Sequence, residues 1–278
     1  MPKSHSQKAR KSSQAKKIHS RSHPKTEQLV WGIHSVQEAL MACPQAIREI
    51  VVDRDKAGRR LEQILDLAQK YAIPVSTGAD KMKEGFRKPG ELSEPESSQG
   101  ISARIILPTL TLDALLEKLN QVSGPPLLLA LDSIQDPHNL GAIIRSAVAA
   151  GVNGIILPKD RSAPITGTVI KVSAGSVFHA DICKVTNLVS SFKVLKEKGI
   201  WVFGATKDAS RPIYETDLTV PACLVIGSEG KGLRPLVAEE CDLNISIPMQ
   251  RSLDSLNASV AAGILLFETV RQRRFLSG

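Results

Sequence analysis

The stretch LLLALDSIQDPHNLGAIIRSA, residues 127–147, decides the fold class of this chain. Its first five residues are a continuous apolar run, which is typical of a strand buried on both faces of a parallel sheet. After a polar segment, Ile143, Ile144 and Ala147 recur at helical spacing, and Arg145 falls outside that apolar face. Asn139 stands where a helix N-cap residue is expected. A strand, a polar loop and a helix in this order predict an α/β domain.

The same alternation continues to the C-terminal end of the chain. Strands are predicted at 127–132, 154–157, 181–185, 200–205, 223–227 and 243–248, and helices at 139–150, 188–198, 235–241 and 257–272. This order predicts a doubly wound α/β domain over residues 124–278, with a parallel sheet covered by helices on both faces. Because such folds host many unrelated chemistries, the fold class alone does not identify a function.

A smaller α/β module is predicted over residues 29–107. Its helices are expected at 34–42 and 57–71, its strands at 48–53, 73–77 and 101–107, and a polar loop at 88–99. Residues 108–123 are interpreted as a linker that contains one short helix. Arg54, Lys56, Arg59 and Arg60 form a basic cluster, which either contacts RNA phosphates or only solvates the start of a helix.

The positive charge of the chain is concentrated in residues 1–28. The net charge is +8, and residues 1–27 hold eight Lys and Arg against one acid, Glu27, which leaves 28 basic and 27 acidic residues elsewhere. A segment with so few apolar residues is predicted to be a disordered tail. It is interpreted either as an arm for RNA phosphates or as a solvated leader. Import into an organelle is a third alternative, although the segment lacks an apolar helical face.

The four cysteines are scattered and form no CxxC pair, and no histidine lies at zinc-binding spacing from them. They therefore predict buried free thiols in a reducing compartment and no metal site. No apolar run approaches the roughly 20 residues that span a membrane. We expect a cytoplasmic protein that does not associate with a membrane.

Two further segments place glycine and polar residues at predicted strand ends, where ligands bind in open α/β sheets. In VIGSEGKGL (225–233), Glu229 lies among three glycines, and Gly232 after Lys231 excludes a phosphate-binding loop, which needs Ser or Thr there. In IPMQRSLDSLNASVAAGILLFETV (247–270), Ser255 and Asn257 precede an apolar helix. Taken singly, each segment is better explained by a tight turn or a helix cap than by a binding site.

In this order and with this spacing, the three segments resemble the SpoU (TrmH-like) family of RNA ribose methyltransferases, which belongs to the knotted SPOUT class. The resemblance covers residues 29–275 and extends to WGIHSVQEAL (31–40) and VSAGSVFHADICKVTNL (172–188). It is strongest to the branch that methylates a guanosine ribose in the peptidyl-transferase loop of 23S rRNA. DNA is not an expected substrate, because it lacks the 2′-hydroxyl.

The resemblance implies S-adenosylmethionine as the cofactor, a deep trefoil knot in the C-terminal domain and a homodimer formed through that domain, with the sites at the interface. It also implies that the N-terminal module is an RNA-binding domain of the ribosomal-protein-like (L30e-like) kind. By position, the residues that match the family's catalytic set are Asn139, Arg145, Glu229, Ser255 and Asn257. Those that match or adjoin its cofactor-binding positions are Gly227, Ile247, Leu256, Gly204 and Ala205.

Arg145 has been proposed as the base in enzymes of this type. A guanidinium has a pKa above about 12 and is seldom deprotonated. We therefore expect Arg145 to clamp a phosphate and the acceptor hydroxyl, with a substrate phosphate taking the proton. Glu229 and Asn257 are then expected to position Arg145.

The chain departs from the family pattern at two places. It has Ser98-Gln99-Gly100 where His-Gln-Gly is usual, and Arg251 where a glycine is usual in the third segment. His179 matches a histidine of the family, although a structural role at a helix end explains it equally well. Two alternative functions stay open: methylation of a ribose in tRNA or elsewhere in rRNA, and a non-catalytic rRNA-binding assembly factor.

Overall fold

The computed structural model describes residues 27–53, 59–78, 100–250 and 255–275. Residues 1–26, Arg54, Lys56, the side chain of Arg59, the predicted loop 88–99 with Ser98 and Gln99, and Arg251 lie outside the described part, so the predictions that fall on them stay predictions. Within the described part, no helix is long and apolar enough to cross a membrane.

The N-terminal module is a four-stranded sheet with two helices. In chain order its elements are β1 (Gln28–Trp31), α1 (Ile33–Ala42), β2 (Ile47–Val52), α2 (Arg59–Lys70), β3 (Val75–Thr77) and β4 (Ile101–Ile105). The strand order is β1-β4-β2-β3, and only the β2–β3 pair is parallel. The predicted helices and strands are confirmed, and Val36, Ala39 and Leu40 of α1 are buried. No pattern in the sequence predicted β1, which is short and lies at the sheet edge.

The C-terminal domain is built on a seven-stranded parallel sheet. Its helices are α3 (Leu112–Leu119), α4 (Pro137–Ala149), α5 (Gly167–Val172), α6 (Leu188–Glu197), α7 (Pro235–Glu240) and α8 (Ala258–Phe275). Its strands are β5 (Leu127–Leu131), β6 (Gly154–Pro158), β7 (Ile182–Val185), β8 (Trp201–Ala205), β9 (Arg211–Pro212), β10 (Ala222–Ile226) and β11 (Leu243–Ser246). The order is β7-β6-β5-β10-β8-β11-β9. The α/β prediction is therefore confirmed, with α5 and β9 as additional short elements.

The strand β5 shows why both faces of this sheet are covered by helices. All five of its residues are buried, so Leu129 packs in a cluster with Ile143 of α4 and Leu265 of α8 on one face. Leu128 packs with Phe192 of α6 on the other face. Since successive side chains of a strand point to opposite faces, the uninterrupted apolar run requires two apolar layers.

The strand order also bears on the expected knot. The chain leaves β5, builds β6 and β7 on one side, and then places β10 directly between β5 and β8. This late insertion of a central strand is consistent with a knotted C-terminal region. The knot itself stays a prediction.

The segment 108–123, interpreted from the sequence as a linker, contributes to the core of the C-terminal domain. Leu115 of α3 is fully buried in one cluster with Leu128. The backbone of Leu110 accepts a hydrogen bond from Lys184 N (3.2 Å) and donates one to Ile182 O (2.8 Å), which extends the sheet beyond β7. The predicted helix is confirmed as α3, but the segment is more than a connector.

The two modules meet through α1, β1 and the segment after β6. His179 ends a 3₁₀ turn (Ser176–His179), and its Nε2 lies 3.2 Å from Glu38 Oε2 of α1. A Cβ at Gly167 would lie 2.7 Å from the Trp31 ring, so the two modules approach closely there. The position of His179 supports the structural interpretation of this residue.

All four cysteines are free, and Cys43, Cys183 and Cys223 are buried. Burial raises the pKa of the Cys183 thiol to about 11 and is the main reason that the pKa of Cys241 rises to about 12. Unfolded thiols ionise near pH 8.5. The stability that comes from a raised folded pKa is therefore complete below that pH and is lost as the pH rises towards 11.

We predict that Cys183→Ala reduces the alkaline loss of stability. Between pH 8 and pH 10, the free energy of unfolding of the unaltered chain should fall by about 1 to 2 kcal/mol more than that of the variant, because the unfolded Cys183 thiol ionises and the folded one does not. Urea unfolding at both pH values measures this difference. Equal pH dependence in the two proteins would contradict the assignment.

Candidate active site

The N-cap of helix α4 lies three residues earlier than the sequence indicated. Asp136 is its N-cap, and the Asp136 side chain accepts a hydrogen bond from His138 N at 2.9 Å. Pro137 occupies the first helical position, where a missing N–H is harmless. The prediction that Asn139 is the N-cap is therefore wrong. Because Asn139 lies inside the first turn and its side chain does not cap α4, its amide can bond elsewhere.

The amide of Asn139 joins two residues from distant parts of the chain. Asn139 Nδ2 donates to Glu229 Oε1 at 3.1 Å, and Asn139 Oδ1 accepts from Asn257 Nδ2 at 2.9 Å. Asn257 Nδ2 also donates to Glu229 Oε1, which accepts a third hydrogen bond from Ala258 N at 3.3 Å. Three of the five catalytic candidates thus form one hydrogen-bonded cluster, the Asn139–Glu229–Asn257 cluster.

Asn257 also caps the helix α8. Its Oδ1 accepts hydrogen bonds from Ser259 N (2.9 Å), Ser259 Oγ (2.6 Å) and Val260 N (3.3 Å). The amide oxygen thus caps the helix, while the amide nitrogen donates a hydrogen bond to Glu229. The Asn257 side chain therefore both caps α8 and belongs to the site.

We predict that Asn257→Ser separates these two tasks. Serine is a good N-cap but has no amide nitrogen to donate to Glu229, so the melting temperature should stay close to that of the unaltered chain. Methyl transfer should fall by at least about 10-fold, because Glu229 and Asn139 lose the group that aligns them. Asn257→Ala is the matched variant, and it should lose about 1 kcal/mol of stability as well. Unchanged transfer in the serine variant would contradict this account.

A cleft of about 290 Å³ lies next to this cluster, at the carboxyl ends of β8, β10 and β11. Parallel sheets bind ligands at this edge. Glu229 lies at the border of the cleft, which ties the cleft to the Asn139–Glu229–Asn257 cluster. Six residues predicted from the sequence line the cleft: Ala205, Gly227, Glu229, Ile247, Ser255 and Leu256.

Gly204 is placed differently from the prediction. It lies in β8 and does not line the cleft among the residues that the structure describes. A Cβ at this position would lie 2.4 Å from Asn244 Oδ1 and 2.9 Å from Cys241 Sγ. The glycine is therefore explained by close packing beneath the cleft, and its neighbour Ala205 provides the lining.

Arg145 lies apart from the other candidates. It is exposed on α4, and its side chain makes no hydrogen bond or ion pair with any residue in the described ranges. Within one chain, Glu229 and Asn257 bond to Asn139 and to each other. They do not hold Arg145, so the expectation that they position it is not met within a single chain.

Sequence reasoning did not single out Asp132 and Arg234. Asp132 directly follows β5 and is fully buried, and its Oδ1 accepts from Arg234 Nε at 2.7 Å. Its Oδ2 accepts from Arg234 N at 2.9 Å. An aspartate at the end of an otherwise apolar strand was the available signal, because a buried carboxylate needs a partner. That partner lies 102 residues away, which no local pattern shows.

Comparison with known proteins identifies the family to which this chain belongs. Residues 126–267 match the SpoU rRNA Methylase family. The chain belongs to this family. Residues 29–81 match a second family, which is described as RNA 2′-O ribose methyltransferase substrate binding. The family match spans the C-terminal sheet from β5 to α8, and it includes all three residues of the Asn139–Glu229–Asn257 cluster.

Relatives of this SpoU-family chain are similar along nearly their whole length. The 23S rRNA (guanosine-2′-O-)-methyltransferase RlmB of Pseudomonas putida is 40% identical over 249 residues, which are 88% of this chain and 96% of that protein. The RlmB of Escherichia coli is 38% identical over 246 residues, 88% of this chain and 99% of that protein. The structure of the SpoU methyltransferase AviRb from Streptomyces viridochromogenes, in complex with the cofactor AdoMet, has a TM-score of 0.74 and 26% identity. The match covers 91% of this chain and 92% of AviRb.

Proposed function

We propose that this chain transfers a methyl group from S-adenosylmethionine to a ribose 2′-hydroxyl of RNA, and that its acceptor is a guanosine of 23S rRNA. The observation that carries the proposal is the Asn139–Glu229–Asn257 cluster at the border of a cleft, in a chain 40% identical to a 23S rRNA guanosine 2′-O-methyltransferase. The family membership supports the methyl transfer, and the relatives' names support the choice of acceptor.

The residues of the cleft fit a nucleoside-containing cofactor. Gly227 lies against the backbone of Gly232 and Leu233, so the cleft wall is main chain, which can bond to a base without a side chain intervening. Ile247, Leu256 and Ala205 supply apolar contact for the flat faces of an adenine. The bound cofactor would supply an activated methyl group on a sulfonium.

The remaining work falls to the residues of this chain. Methyl transfer requires the acceptor oxygen to lie in line with the breaking bond, about 3–3.5 Å from the methyl carbon. Glu229 borders both the cleft and a neighbouring cavity, and its Oε1 is occupied by three donors. Its Oε2 bonds to none of the described residues and can accept a hydrogen bond from a donor of the acceptor nucleotide other than the reacting hydroxyl. Glu229 thus orients the nucleotide, while the reacting hydroxyl gives its single proton to a substrate phosphate.

Arg145 enters this scheme from a second copy of the chain. It lines neither cavity of its own chain among the described residues, which supports its presentation by another subunit. The helix α8 has a suitable surface, because Val260 and Phe267 are each 50% exposed and lie on one face with Ile264. Exposed apolar side chains aligned on one helix face are typical of a subunit interface. We therefore include a homodimer, formed through the C-terminal domains, in the proposal.

We predict that Phe267→Glu produces monomers. A carboxylate on the apolar face of α8 would be buried without a partner at the interface, which costs several kcal/mol. Sedimentation velocity should show dimers for the unaltered chain and monomers for the variant. Met41→Glu is the control, because Met41 is similarly exposed (51%) but lies in α1 of the N-terminal module. Dimers that persist in Phe267→Glu would contradict this interface.

The N-terminal module, residues 29–107, is assigned to RNA binding in this proposal. The substrate-binding match over residues 29–81 supports the assignment. The basic tail would add electrostatic attraction to RNA phosphates. We include a cytoplasmic location in the proposal, because the proposed acceptor lies in ribosomal RNA.

Mapping of ribose methylation in 23S rRNA tests the proposed function. RNA from cells that lack the protein should lose one 2′-O-methylguanosine, and the purified chain with S-adenosylmethionine should restore it. Loss of a tRNA or other rRNA mark instead would favour the alternative substrates. Calorimetry with S-adenosylmethionine tests the other class, since absence of binding would favour a non-catalytic assembly factor.

A further inference from the structure

A second cavity, of about 550 Å³, lies beside the cofactor cleft. The loop Ser228–Gly232 separates the two spaces, and Glu229 borders both. The second cavity opens at the carboxyl end of β5, next to the start of α4. Its charged lining consists of Arg161, Lys231 and Arg234 together with the carboxylates of Asp136 and Glu229. A cavity of this size has room for a nucleoside.

Arg234 is held rigidly at the wall of this cavity. Asp132 is fully buried, and its two oxygens bond to the backbone N and the side-chain Nε of Arg234 at 2.9 and 2.7 Å. These contacts use one edge of the guanidinium. Its two Nη groups donate to no protein atom among the described residues, although the Arg234 side chain is only 37% exposed. A buried carboxylate thus fixes a two-pronged donor whose other edge is available.

We propose that Arg234 selects the acceptor base, by donating from its two Nη groups to O6 and N7 of guanine. A fixed guanidinium fork matches the two acceptors that guanine presents on that edge, whereas adenine presents a donor, its N6 amino group, in place of O6. The mixed lining favours a base over a phosphate, because Asp136 and Glu229 would repel a phosphate but can accept from the N–H groups of guanine. This inference rests on the proposed function.

The proposal gives Asp132 a task as well. Asp132 contacts no part of the acceptor and is a positioning residue, because it fixes the plane of the Arg234 guanidinium. Asp132→Asn keeps the size of the side chain but weakens the contact with Arg234. It should therefore reduce base selectivity without removing the guanidinium.

The test uses 23S rRNA fragments that carry guanosine, 7-deazaguanosine or adenosine at the mapped acceptor position, with single-turnover methylation by the full chain. For the unaltered protein, loss of N7 should slow transfer by about 10- to 100-fold, and adenosine should be slower still. Arg234→Lys should methylate guanosine and 7-deazaguanosine at similar rates, and Asp132→Asn should give an intermediate ratio. Lys198→Gln is the control. Lys198 is exposed and precedes β8, so it lies at the amino ends of the parallel strands, whereas the cavity lies at their carboxyl ends.

The possible results distinguish failure of the Arg234 proposal from failure of the proposed function. Equal rates of the unaltered protein on guanosine and 7-deazaguanosine would overturn the proposal, and this comparison does not depend on any variant folding. An unchanged rate ratio in Arg234→Lys would overturn it as well. Equal slowing of this variant on all fragments would assign Arg234 to a phosphate instead. No methylation of the guanosine fragment by the unaltered chain would mean that the proposed function fails.

Discussion

Replacing Gly227 by alanine is expected to weaken S-adenosylmethionine binding by at least about 100-fold. A Cβ at this position would lie 2.2 Å from the carbonyl carbon of Gly232 and 2.4 Å from Leu233 N. Both atoms belong to the main chain and cannot rotate away, so the loop Ser228–Gly232 must move. That loop lines the cofactor cleft. Overpacking of this kind costs about 3 kcal/mol, which corresponds to a factor of about 100 in the dissociation constant.

Calorimetry with S-adenosylmethionine measures this loss, and Gly151→Ala is the matched control. Gly151 has a positive φ of 75°, and a Cβ added there would have no neighbour within 4 Å. It lies between α4 and β6, at the amino ends of the parallel strands, whereas the cleft lies at their carboxyl ends. Alanine there should reduce the free energy of unfolding by about 1 kcal/mol and leave the dissociation constant unchanged. Binding by Gly227→Ala within a few-fold of the unaltered chain would show that the main-chain wall is not part of the cofactor site.

Arg145→Lys is expected to bind S-adenosylmethionine normally and to lose most of its turnover. Arg145 lies outside the cleft of its own chain, so the cofactor should not respond to the change. Lysine keeps the charge but not the planar fork that can bond to a phosphate and a hydroxyl together. Loss of a donor that acts in the transition state costs about 100-fold or more in kcat. Arg211→Lys, an exposed arginine at the sheet edge in β9, is the control and should retain full turnover.

Mixing two inactive variants tests whether Arg145 acts across the dimer. In a heterodimer of Arg145→Lys and Gly227→Ala, one site has an intact cleft from the first subunit and an intact arginine from the second. Subunit exchange should therefore restore roughly a quarter of the unaltered activity, since half of the dimers are mixed and each has one complete site. Activity that stays at the level of the separate variants would place Arg145 in the site of its own chain, or outside the reaction.

The sequence predicted the regular elements well, because their signals are local. Continuous apolar runs such as Leu127–Leu131 identify buried parallel strands, and the spacing of Val36, Ala39 and Leu40 identifies a helix face. Elements without such a signal were missed. β9 has two residues, and α5 has six, which is less than two helical turns.

The wrong prediction for Asn139 and the missed Asp132–Arg234 pair have the same cause, which is that the partners are distant in the sequence. Asn139 has the chemistry of an N-cap, but Asp136 precedes a proline and occupies that place, which frees Asn139 to bond across 90 and 118 residues. The Asp132–Arg234 pair likewise depends on how β5 and the start of α7 meet in space. Such pairings follow from the strand order, which places β10 beside β5, and the chain's local periodicity does not contain that order.

A single 2′-deoxyguanosine provides the most direct test of the central claim, that the Asn139–Glu229–Asn257 cluster and its cleft serve transfer to a ribose hydroxyl. Two 23S rRNA fragments that differ only in this oxygen, at the mapped acceptor position, are incubated with the chain and S-adenosylmethionine that carries a labelled methyl group. About one methyl group per fragment should be incorporated into the ribose form and none into the deoxy form. Undiminished incorporation into the deoxy fragment would show that the methyl group goes to another atom, so that the ribose hydroxyl is not the acceptor.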